Sequence, residues 1–131
     1  MFFPPVVVVH GLDQAQAALR PGLPVTLLSA RGAALYAGCG WWRALVTAVA
    51  ASHDLLDCAD APGHAMAALR IGQRSLILDA GCPAFAAVAA AAASLGAGVF
   101  AERPAALDLG ERGAERRLVA WLQGDKGKSL G

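Results

Sequence analysis

The sequence predicts an α/β domain built on a parallel sheet, and three observations predict it. Short apolar runs recur along the chain, beginning with the β-branched Val6-Val7-Val8-Val9. Between them lie stretches of helical length, several of them rich in alanine, such as residues 83–95. The runs are apolar throughout instead of alternating, as expected of strands covered on both faces of a parallel sheet.

The elements follow in order. Residues 6–10 (VVVVH) read as the first strand and residues 11–20 as a helix, with Ala15, Ala18 and Leu19 on one face and Pro21-Gly22 stopping it. Residues 24–30 (PVTLLSA) form a second strand. Residues 31–52 are helical but interrupted at Gly38 and Gly40, giving a short helix and then one from about Trp41. Residues 54–60 (DLLDCAD) and 75–79 (SLILD) form the third and fourth strands, followed by helices over residues 62–71 and 83–95. Residues 98–102 (GVFAE) make the fifth strand, and residues 107–122 a last helix with Leu118, Trp121 and Leu122 on its apolar face. The domain covers residues 1–123, and residues 124–131 read as a disordered tail.

Two units echo each other: in LLDCADAPGHAMAALRIG and LILDAGCPAFAAVAAAAASLG, Leu-Asp ends the strand and a proline opens the helix. Five such units are too few for a closed eight-stranded barrel, which takes roughly 200 residues or more. The expectation is a three-layer α/β/α open sheet of five parallel strands in the flavodoxin-like order 2-1-3-4-5, with a half-barrel of βα units as the alternative.

Composition narrows the function classes. The net charge of +1 and the absence of a basic stripe with interleaved aromatics argue against nucleic acid and anionic membranes as partners. Arg112, Arg116 and Arg117 lie beside Glu111 and Glu115 and read as the solvated face of a helix. No run reaches the ~18 apolar residues of a spanning helix, and residues 1–5 lack the basic start of a signal peptide. Cys39, Cys58 and Cys82 form neither a disulfide framework nor a metal knuckle, so reduced thiols in a bacterial-type cytoplasm are expected. With 56% hydrophobic and only 16% charged residues, a domain this small is expected to hide apolar surface in a homo-oligomer, a dimer being the simplest.

Ligands of open α/β sheets bind beyond the carboxyl ends of the strands, where the strand order reverses. For the expected order, that crevice lies between the first and third strands. The residues reaching this edge are His10, Gly11, Ser29, Arg31, Gly32, Asp60, Gly63, His64 and Asp79. In Asp60-Ala61-Pro62-Gly63-His64, Asp60 suits a helix cap, Gly63 allows close approach to the backbone, and His64 is an acid, base or ligand. Arg31-Gly32 offers a cation at a helix start for an anion. Cys82-Pro83 opens a predicted helix whose dipole would favour a thiolate, with His10 or His64 as base. Catalytic candidates are therefore Cys82, His64 and Asp60. The spacings of His10, Cys58, Asp60, His64, Asp79 and Cys82 match no metal-ligand pattern, so no metal is assigned, and no motif identifies a cofactor.

Three functions fit: a small-molecule or anion-binding module at the carboxyl edge, a small enzyme using Cys82 or the Asp60/His64 pair, or a non-catalytic oligomeric protein. In the last, Trp41 and Trp42 would lie at the interface; core packing and ligand stacking are the other uses open to them.

Overall fold

A computed structural model describes residues 3–124, so the tail from residue 125 onward lies outside the described residues. Six parallel strands form one sheet: β1 (Val6–Val8), β2 (Thr26–Leu28), β3 (Asp54–Asp57), β4 (Ser75–Ile77), β5 (Gly98–Phe100) and β6 (Ala106–Asp108). Around them run α1 (Leu12–Leu19), α2 (Ala33–Tyr36), α3 (Cys39–Ala48), α4 (Pro62–Arg70), α5 (Phe85–Ser94) and, after a 3₁₀ turn at Ala114–Arg117, α6 (Leu118–Leu122). The parallel α/β reading holds; the strand count and order are corrected. The order is β5-β4-β3-β2-β1-β6, so each strand from β1 to β5 steps the same way and β6 returns to the far side of β1.

That order decides how the faces are covered. Successive right-handed crossovers in one direction place their helices on one side of the sheet. Buried residues from each of α1–α6 accordingly pack in one cluster with Val7, Val9, Leu27, Leu56, Leu76 and Leu78. The alternate residues Val6, Val8, Leu28, Leu55 and Ile77 form a second, smaller cluster, closed by Phe3, Phe100 and Ala106. Both faces of the sheet are thus covered, one by the helices and the other by Phe3, Phe100 and the segments around them.

The return from β5 to β6 also shapes the sheet. Phe100 and Ala106 lie on opposite edges, five inter-strand steps or about 24 Å apart if the sheet were flat. Six residues of fully extended chain reach about 22 Å at most, and this segment must also run back from the carboxyl to the amino end. The sheet is therefore curved toward the strap formed by residues 101–105. Phe3 and Phe100 meet edge to face across that side, 5.3 Å between ring centroids.

The expected helix over residues 107–122 is corrected as well. Leu107 and Asp108 belong to β6, because the open side of β1 offers them a partner through Val7 and Val8.

Candidate functional site

The strand order moves the reversal point. With β2 between β1 and β3 there is no β1/β3 crevice; the order reverses between β1 and β6. At that point the structure places a hydrogen-bonded pair, His10 Nε2 to Asp108 Oδ1 at 2.7 Å. Both side chains are partly open to solvent, 40% and 37% exposed.

Each member is held by the backbone that delivers it. His10 follows β1, where its N–H donates to Gln14 Oε1 at 2.8 Å, a bond reaching back from the first turn of α1. Gln14 Nε2 in turn donates to the Leu109 carbonyl at 3.4 Å, tying α1 to the exit of β6. Asp108 Oδ1 also accepts the Gly110 N–H at 2.8 Å. Gly110 is required here: a Cβ at this position would lie 2.9 Å from His10 Nε2 and 3.1 Å from Asp108 Oδ1. An acceptor on Nε2 places the proton there, which in the neutral ring leaves Nδ1 with a free lone pair.

Two open depressions adjoin this pair and share Asp13 and Gln14. One, about 390 Å³, is lined by His10, Gly11, Leu12, Asp13 and Gln14. The other, about 280 Å³, runs along α1 between Asp13, Ala17 and Arg20 on one side and Leu109 and Glu115 on the other. The ionisable groups lining them are His10 and Asp13 in the first and Asp13, Arg20 and Glu115 in the second.

The other expected residues fall elsewhere. Ser29 and Gly32 belong to a buried knot at the β2/β3 tip. Ser29 Oγ accepts the Asp57 N–H at 2.9 Å, and Gly32 N–H donates to Asp57 Oδ1 at 3.0 Å. Asp57 Oδ1 also accepts the Ala59 N–H at 2.8 Å, while Oδ2 pairs with Arg103 Nη1 at 2.7 Å. Arg31, Asp60, Gly63 and His64 are exposed at the tips of β2 and β3, and Asp60 lies two strands from His10, about 10 Å. Asp60 does not cap α4: the cap is Ala61, with no side-chain bond. Asp79 ends the fourth run with its N–H on the Ala59 carbonyl.

The cysteine expectation needs correcting. α5 begins at Phe85 with Ala84 as its cap, so Cys82 does not open it; Cys82 is buried in the helix-side core. His10 is the tip of a strand three steps from β4, about 14 Å away, and cannot act as its base. At Cys58, burial first, then the Asp57 and Cys39 charges, push the thiol from 9.0 up to about 12. Among the described residues no group of three or more His, Cys, Asp or Glu is placed to hold a metal ion.

Trp42 is fully buried and donates to Asp54 Oδ2 at 2.8 Å, a core role; Trp41 packs beside it, 5.8 Å between ring centroids. Reading the sequence alone missed Asp108, although its run Ala106-Leu107-Asp108 carries the same strand-ending Leu-Asp as the third and fourth units.

Compared with known protein families, curated proteins and solved structures, the chain matches none.

Proposed function

We propose that this protein is a small-molecule-binding domain whose ligand sits at the β1/β6 tip, against His10 and the first turn of α1. The observation that supports it most is the His10–Asp108 hydrogen bond at the point where strand order reverses. Ligands of open α/β sheets bind beyond the carboxyl ends of the strands at such a point, and here a partly exposed imidazole borders an open depression. The rim chemistry narrows the ligand. Asp13 lines the His10 depression and Asp108 is bonded to the imidazole, so the tip favours a neutral or cationic hydrogen-bonding molecule over the anion expected at this edge.

Titrating ¹⁵N-labelled protein with small amines, amidines and amides, and separately with inorganic phosphate, tests this. Shifts at His10, Gly11, Gln14 and Gly110 with the cationic or amide fragments are expected. The reading fails if shifts gather at Gly63 and His64, or if phosphate produces the larger effect.

A cytoplasmic setting and a homodimer complete the reading. Exposed Leu35 and Tyr36 on α2, at 43% and 70%, support apolar self-association. Sedimentation of the wild type and of Tyr36→Ser tests it, with a dimer expected only for the former; a monomeric wild type would sink the homodimer.

A further inference from the structure

β6 has three residues and, among the described residues, a hydrogen-bonded neighbour on one side only, β1. Pairing that short holds a strand weakly by itself, yet it must place Asp108 to within a hydrogen bond of His10. The strap of residues 101–105 delivers it, and Arg103 anchors the strap. Its Nη1 donates to Asp57 Oδ2 at 2.7 Å and to the Ser29 carbonyl at 3.2 Å. Asp57 is rigid without the arginine, since Oδ1 already holds the N–H groups of Gly32 and Ala59. An amide at position 57 would satisfy those two donors equally. The charge, with its side chain only 3% exposed, has Arg103 as its partner among the described residues. Burying an ion pair is costly and seldom adds net stability, so its best-attested use is to specify register.

The strap is short, five residues between strands on opposite edges of the sheet. A shift at Arg103 therefore passes to Ala106, three residues on, and to Asp108. All of these groups share a face: Asp57 continues the Leu55 side of β3, His10 the Val6 and Val8 side of β1, and Asp108 the Ala106 side of β6. We infer that Arg103, anchored on Asp57, is a positioning residue for the His10–Asp108 pair, so that the buried tip of β3 sets the geometry of the exposed tip of β6. The inference rests on the small-molecule reading for its functional meaning, but its measurement needs no ligand.

The test uses the full chain, labelled with ¹⁵N, and the Arg103→Gln variant. One readout is the ¹⁵N signature of the His10 ring, in which Nε2 is bonded to a carboxylate. The second is amide hydrogen exchange at Leu109, which donates to the Val8 carbonyl, against Ser29, which donates to the Leu55 carbonyl. In Arg103→Gln, exchange at Leu109 should rise at least tenfold more than at Ser29, and the His10 signature should revert to that of exposed His53. Arg103→Lys keeps the charge but not the fork and should fall between. The inference is overturned if the His10 signature survives in Arg103→Gln, or if Leu109 and Ser29 accelerate by the same factor, which is global loosening. Should Arg103→Gln fail to fold, the Asp57→Asn, Arg103→Gln double variant leaves no buried charge, and the same readouts and outcomes decide. Loss of fragment binding with this coupling intact would count against the ligand reading alone.

Discussion

Two aspartates end parallel strands in this protein with the same local turn and opposite surroundings. Asp57 closes β3 and takes the N–H of Ala59 on Oδ1 at 2.8 Å; Asp108 closes β6 and takes the N–H of Gly110 on Oδ1, also at 2.8 Å. Both are side-chain turns that an aspartate makes with the backbone two residues on. There the likeness stops. Asp57 is 3% exposed and meets Arg103, whereas Asp108 is 37% exposed and meets His10. Position in the sheet is the cause: β3 is an interior strand under the strap, and β6 is an edge. The same short motif becomes a structural knot where it is covered and a candidate binding group where it is not.

The contrast is most sharply tested by removing each carboxylate in turn. Asp57→Ala strands Arg103 and the N–H groups of Gly32 and Ala59, and should cost about 3–5 kcal/mol by urea unfolding. Asp108→Ala at the open tip should cost under about 1 kcal/mol. Equal losses would break the comparison.

Alkali should sharpen it next, because the buried tip includes Cys58. Its thiol is raised to about 12 in the fold, chiefly by burial, from 9.0. Between those values the unfolded chain releases a proton that the folded chain keeps. The stability contributed by the neutral thiol is thus full below pH 9 and is lost as pH rises toward 12. The slope should approach 1.4 kcal/mol per pH unit, roughly, above pH 9. Cys58→Ala should remove that part of the slope in unfolding measured across pH 8–11.

The smallest effect on stability is expected at Gly110→Ala. The new methyl would displace the His10 ring, which is free to swing outward, so unfolding should move by about 0.5 kcal/mol or less. Fragment-induced shifts at His10 should nevertheless disappear. If they persist at full strength, the pair is not the recognition element.

Legibility in the sequence followed the range of the interactions involved. Val6 to Val9 declared a strand through β-branched composition, and His10 and Gly11 were placed at its tip by counting. Asp108 was not found, because Ala106-Leu107-Asp108 is too short to show a period and runs into the helix-like Ala, Leu and Arg residues that follow. Cys82-Pro83 resembled a helix start, yet Pro83 and Ala84 form a turn before α5 begins, and the thiol packs into the core. Asp60 looked like a cap and is an exposed loop residue, since nothing in its own turn requires the bond.

By itself the sequence determined a parallel α/β sheet, because buried strands and amphipathic helices are written in composition and period over a few residues. The tertiary structure alone decided that β6 lies beside β1, that the strap curves the sheet, and that His10 meets Asp108. Those depend on strand order and on the reach of six residues between opposite edges, quantities that no local pattern encodes.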